Sequence, residues 1–167
     1  AYAHAAQAQR VTVDMEEVIG TSAAGKGAQA VLQGQANTLQ ARVKTLSDGF
    51  TKEEDALRTG FQNKTIAQPP AEAKAKDIET RKQGAQAEIA GRQRTLQASQ
   101  RYVVEQIDRA AQPIITAIMK EKNANVALAR GATIQAASSL DITAEVVKRL
   151  NASLPSVSTT APAQPAK

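Results

Sequence analysis

Gly20-Thr21-Ser22-Ala23-Ala24-Gly25-Lys26-Gly27 is the stretch nearest to recognisable chemistry. It almost spells the phosphate-binding loop G-x-x-x-x-G-K-[ST], after a strand-like run and before a helical one. In that loop backbone N–H groups cradle phosphates, the lysine meets their charge and the final hydroxyl binds magnesium. Gly27 stands where that hydroxyl is needed. A nucleotide fold also requires strands alternating with helices in a parallel sheet, whereas this chain continues into two long helical runs. The segment therefore reads as a glycine-loosened helix start, capped by Thr21 or Ser22.

The other reactive residue types fall equally short of a site. His4 is the only histidine and sits in the small, polar opening AYAHAAQAQ. Glu53-Glu54-Asp55 lies on a helical surface with neither a nucleophile nor metal-ligand spacing nearby. Cysteine is absent, which excludes disulfides, thiolate chemistry and cysteine-based zinc sites. Asn63-Lys64-Thr65 and Asn151-Ala152-Ser153 match the glycosylation pattern, which is too short to carry weight alone. We expect no enzyme, no metal and no cofactor. Arg92, Arg94 and Arg101 occupy an acid-free stretch between Glu88 and Glu105. They are candidates for contact with an anion or an anionic client, and their spacing equally describes a solvated basic face.

Composition narrows the partners. The chain has 167 residues and a formal net charge of +5, which favours anionic partners: acidic proteins or an anionic membrane surface. Nucleic acid is not expected, because basic residues are not clustered with stacking aromatics. Aromatic content of 2% and the lack of Trp leave little to build a large monomeric core, so an oligomer is expected. No run approaches the roughly 18 to 20 apolar residues of a membrane-spanning helix. The opening residues resemble a mature chain after an A-x-A-like cleavage, which suggests export.

The elements follow from periodicity. Val11-Thr12-Val13-Asp14-Met15 alternates and is β-branched, so it reads as a short strand. Leu32, Leu39 and Leu46 then recur every seven residues, with Ala36, Val43, Phe50 and Leu57 as the complementary set, the seam of a left-handed coiled coil. Pro69-Pro70 breaks the run, placing the turn at 68–71. Ile78, Ala85, Ile89, Leu96 and Val103 trace the return, supported by the acid-first i,i+4 pairs Glu72-Lys76, Asp77-Arg81, Glu88-Arg92 and Glu105-Arg109. The stripe widens through Ile107, Ala111, Ile114, Ile115, Ile118 and Met119, with Pro113 as a predicted kink. Val126 to Ala129 and Ala132 to Ala136 read as a strand hairpin around Arg130-Gly131. Ile142, Val146, Val147 and Leu150 mark a final amphipathic helix.

The expected organisation is a flexible terminus at 1–9, an oligomerisation body at 10–20 and 124–153, a hairpin arm at 21–123 and a disordered tail at 154–167. Gly34, Gly49, Gly60, Gly84 and Gly91 sit inside the arm's helices at roughly 1 kcal/mol each relative to alanine. Their expected role is to let the arm bend around clients of different sizes.

This order of elements, ending in Asp141-Ile142-Thr143-Ala144-Glu145-Val146-Val147-Lys148, resembles the Skp (OmpH-like) family of periplasmic chaperones. The strand region from Asn125 and the run from Pro113 to Ile118 add to the likeness, which spans about Val11 to Leu150. The resemblance implies an α+β, mostly α fold: a long antiparallel coiled-coil hairpin projecting from a small strand body that assembles as a homotrimer. It implies an ATP-independent periplasmic holdase that keeps unfolded outer-membrane proteins from aggregating in a cavity between arms. Lipopolysaccharide is a further partner that the family suggests. The trimer body would use Val11, Val13, Val126, Leu128 and Ile134. Two rival functions are a structural coiled-coil envelope protein that bridges partners through its hairpin tip, and a prefoldin-like cytosolic chaperone.

Overall fold

A computed structural model describes residues 9–163; His4, the opening residues 1–8 and the last four lie outside them. The order is β1 (Arg10–Val13), α1 (Met15–Thr21), α2 (Ala23–Gln62), α3 (Gln68–Glu121), β2 (Val126–Ala129) and α4 (Thr143–Ser153), with two 3-10 turns before α4. Contacts divide the chain into two compact units. The base comprises the chain up to Leu32 and from Ser99 onward, and the arm is Gln33–Ala98. The long α2 and α3 each contribute to both.

The base owns the continuous core. Val11 and Val13 from β1, Val18 from α1, Ala24, Ala28 and Leu32 from α2, and Val146 and Leu150 from α4 are buried there. From α3, Val103, Ile107, Ala111, Ile115 and Ile118 join them at helical spacing, the wide stripe expected of a helix facing a core. Ile114 and Met119 are only half-buried. Pro113 lies within α3, on an exposed position, where its missing N–H removes one ladder bond but displaces no core side chain.

The expected strand hairpin is not formed. β2 pairs with β1 in parallel, in the register Arg10↔Val126 to Val13↔Ala129, with α1 to α3 supplying the long crossover that parallel pairing needs. Arg130–Ala132 is a 3-10 turn, and the chain beyond it does not return along β2. A tight two-residue hairpin would need positive φ at the turn, and no glycine in the chain takes one.

Asp141-Ile142-Thr143 ties the base together by hydrogen bonds. The Ile142 N–H donates to the Thr12 carbonyl at 2.9 Å, so this segment flanks β1 through an isolated parallel bridge. Thr143 Oγ1 accepts from the Asp14 N–H at 2.9 Å, while Asp14 caps α1 by accepting from the Glu17 N–H at 3.0 Å. Asp141 accepts from the Thr143 N–H at 2.9 Å and from Arg130 at 3.0 Å. The Thr143 side chain and N–H, with Arg130, hold the Asp141 carboxyl below its ordinary range.

The phosphate-loop lookalike is a corner between two helices. Ser22 is fully buried; its Oγ accepts from the Gly25 N–H at 3.2 Å, and Asn151 Oδ1 accepts from the Ala23 N–H at 2.8 Å. A side chain at Gly25 would overlap the Ile19 carbonyl, so glycine there permits the close approach of α1 to α2. The N–H groups of Ser22, Ala23, Gly25 and Lys26 are spent on helix and cap bonds rather than offered to a phosphate.

After α4, the stretch expected to be disordered is bonded to α3 at Ser158. Gln106 donates to the Ser158 carbonyl at 2.8 Å and accepts from the Ser158 N–H at 3.1 Å, and Leu154 and Val157 are half-buried. One glutamine amide thus satisfies both backbone groups of Ser158.

Candidate functional site

Within the arm, the turn lies at Asn63–Ala67, earlier than the expected 68–71. Pro69 and Pro70 belong to the first turn of α3, where a missing N–H costs nothing. What stops α2 is a left-handed Lys64, φ 57°. The Thr65 N–H donates to the Gly60 carbonyl at 2.9 Å and the Lys64 N–H to the Phe61 carbonyl at 3.1 Å, a Schellman ending. Asn123, φ 51°, ends α3 in the base by the same pair of bonds.

The arm's seam is present but shallow. Ile78 is buried, whereas Leu39, Leu46, Phe50, Leu57, Ile89 and Leu96 are half-buried. Leu32 and Val103, the outermost members of the expected seam, are buried in the base. Val43 departs from the expectation, with 41% of its surface exposed. Phe61 is 50% exposed at the end of α2.

Ion pairs do much of the lateral locking in the arm. Arg42 forks onto both oxygens of Glu88 at 3.1 Å, Arg81 grips Glu53 and Lys82 reaches Glu54 at 2.7 Å. Arg81 also bonds Asp77 at 2.8 Å and stands 5.7 Å from the Phe50 ring centroid, a cation–π distance. Hydrogen bonds from Arg81 lower the Glu53 pKa, and those from Arg42, then Arg92, lower that of Glu88. Both arginines are raised by their carboxylate hydrogen bonds. Of the four expected i,i+4 pairs, Asp77–Arg81 and Glu88–Arg92 are formed. Glu72 instead accepts from Gln68 at 3.0 Å, and Glu105–Arg109 is not among the ion pairs of the described residues.

These cross-helix partners escape a reading by heptad alone, yet the acid triplet Glu53-Glu54-Asp55 and the basic pair Arg81-Lys82 carried the signal. Sequence reasoning also missed Asn151 as a cap and Gly25 as a contact point.

The three candidate arginines all lie on α3. Arg92 is engaged by Glu88 at 2.9 Å. Arg94 in the arm and Arg101 in the base are exposed and belong to different units. The five candidate body residues also split. Val11 and Val13 are buried by their own chain, while Val126 and Leu128 on one face of β2 are over a third exposed and Ile134 is wholly exposed, at 102%. Ile134 borders a groove of about 680 Å³ with Thr12, Arg130 and Asp141. Such surfaces bind by contact; no group of three metal-ligating side chains exists among the described residues. No helix there is long and apolar enough to cross a membrane.

The family model for outer membrane protein (OmpH-like) matches residues 10–150. The chain belongs to the OmpH-like family. No curated protein matches this OmpH-like chain. A crystal structure from Caulobacter crescentus, described as an OmpH-like outer membrane chaperone, superposes on it with a TM-score of 0.81. That match covers 95% of this chain and 92% of the other at 22% identity, so the two share a fold: mostly helical, with long helices and a small strand pair.

Proposed function

We propose that this OmpH-like chain is an ATP-independent holdase chaperone of the periplasm, binding unfolded outer-membrane proteins between the arms of a homotrimer. The observation that carries the reading is an arm whose apolar seam is half-exposed, in a chain of a family whose solved relative is described as an outer membrane chaperone. A seam of this kind offers apolar contact along its length without a fixed pocket, and ion pairs rather than a deep core hold it closed. Net charge of +5 would steer acidic clients toward it. Val126, Leu128 and Ile134, exposed in the single chain, would be covered by neighbouring subunits. Arg94 and Arg101, exposed and without an ion-pair partner among the described residues, are the candidates for lipopolysaccharide or an anionic membrane surface.

The test is dilution of a urea-unfolded outer-membrane protein into stoichiometric purified chain without ATP. The client is expected to stay soluble. Aggregation at the rate of the client alone, with the oligomer intact by light scattering, would overturn the reading and favour a bridging role.

A further inference from the structure

Near its turn, the arm carries two grooves that share Leu57 and Ile78 as a common wall, with volumes of about 400 and 350 Å³. Their charges differ. The smaller is bordered by Glu53 and Asp77 and by Lys74 and Arg81, and Arg81 bonds both acids, so its border is balanced. The larger is bordered by Glu54, Glu72, Glu79 and Arg58. Arg58 pairs with Asp55, and Glu54 with Lys82. Glu72 and Glu79 accept only from neutral amides among the described residues: Gln68 at 3.0 Å and Gln83 at 3.3 Å. In a chain with net charge +5, this groove keeps two carboxylates outside any ion pair of the described residues, although Lys82 stands near enough to Glu79 to feel its charge.

Its floor is apolar and open. Phe61 is half-exposed and lines the groove together with Ala71 and Ala75, whose side chains are small. The lining recurs at helical spacing, 54, 57, 58, 61 on α2 and 68, 71, 72, 75, 78, 79 on α3. At 1.5 Å per residue the α3 wall runs about 16 Å, or three turns.

We propose that this groove docks a cationic amphipathic helix of a partner protein. Recognition by helix-in-groove packing uses anchors at i, i+3, i+4 and i+7, which matches the groove's length and periodicity. Glu72 and Glu79 are seven residues apart, about 10 Å along the helix. Lysines or arginines seven residues apart on the incoming helix would meet both, with leucine-sized side chains against Phe61 and Ile78. Anionic lipid, nucleic acid and acidic segments are repelled by the same carboxylates, so Glu72 and Glu79 mark a role apart from client holding, although Leu57 and Ile78 belong to the seam proposed to contact clients.

The probe is a fluorescent synthetic helix of leucine and lysine in that pattern, and its twin with every lysine replaced by glutamate, titrated with the full chain by anisotropy. The lysine peptide should bind at least tenfold more tightly than its twin. Glu72→Lys with Glu79→Lys should weaken it at least tenfold, as should Ala75→Leu, which exchanges one strong helix former for another and fills the floor, with helicity checked by circular dichroism. Lys74→Ala in the other groove should leave binding unchanged. Equal binding of both peptides, or binding indifferent to the groove variants, would overturn the proposal. So would loss of client protection in the charge-reversed variant, which would merge the groove with the client surface.

Discussion

The core isoleucines of the base are enclosed more completely than those of the arm. In the base, Ile107, Ile118 and Ile142 are essentially inaccessible, enclosed by neighbours from several elements. In the arm, Ile78 is buried, but Ile66 and Ile89 are half-buried between only two helices. Two packed helices can cover one stripe of each other and no more, so an arm of this width relies on ladder hydrogen bonds, helix propensity and lateral ion pairs. The base draws instead on buried apolar area, at roughly 1.5–3 kcal/mol per large aliphatic side chain. One unit is thereby built to hold its shape and the other to open locally at low cost.

Matched truncations test that contrast most strongly. Ile107→Ala removes a fully enclosed side chain and should destabilise the base by about 4 kcal/mol, within the range for aliphatic core truncations. Ile89→Ala should cost about 1 kcal/mol, because solvent already reaches it. Urea titration followed by hydrogen exchange in each unit reads both values; equal losses would mean that the arm has a core as tight as the base.

Alanine should act with opposite sign at Gly25 in the base and at the open glycines of the arm. Gly25→Ala sets a methyl against the Ile19 carbonyl, where backbone must move, and should cost about 3 kcal/mol. At Gly34, Gly49 and Gly84 a methyl meets open space, and at Gly91 only the tip of Arg94. Each of those four changes should stabilise its helix by about 0.5–1 kcal/mol, read as slower amide exchange. Gly60 does not belong with them, since a methyl there would stand 2.6 Å from Ile66. If the four-alanine arm also protects large and small clients equally well, bending at these glycines has no part in the proposed chaperone function.

The helices, their seam and the final amphipathic helix were legible because each repeats an apolar residue at a period that only one backbone geometry satisfies. The Asp141-Ile142-Thr143 signature was legible as a resemblance, and its bonds to Thr12 and Asp14 give the physical reason for those residue types. The strand hairpin misled because β-branched spacing around an Arg-Gly pair does not reveal the partner strand, which lies more than a hundred residues earlier. The turn misled for a different reason: prolines are obvious breakers inside a helix, yet they are welcome in its first turn. The actual stop, Lys64 in a left-handed conformation, has no sequence signal, because lysine is not a residue that favours it.

That stop offers a smaller, favourable change. A non-glycine residue in the left-handed region costs about 1 kcal/mol relative to glycine. Lys64→Gly should therefore stabilise the turn by about that amount while keeping both Schellman bonds, visible as stronger protection of the Thr65 and Ile66 amides. The corresponding Asn123→Gly in the base should gain less, since asparagine tolerates this conformation better.

Acid provides the mildest separation of the two units. Glu53 and Glu88 have folded-state pKa values below their unfolded ones, owing first to hydrogen bonds from Arg81 and Arg42. A lowered carboxylate pKa contributes stability that is complete above the unfolded value and is lost as pH falls through the folded one. The arm should accordingly lose amide protection from about pH 5 downward, and these exposed pairs should weaken in the same direction as salt is raised at neutral pH. The base contains carboxylates lowered in the same way, Glu121 and Glu145 by hydrogen bonds from Arg149, but its apolar core does not titrate. Hydrogen exchange at pH 7 and pH 4, each at low and high salt, should show the arm opening first and the base holding. Simultaneous loss in both units would mean that the lateral ion pairs are not what distinguishes the arm.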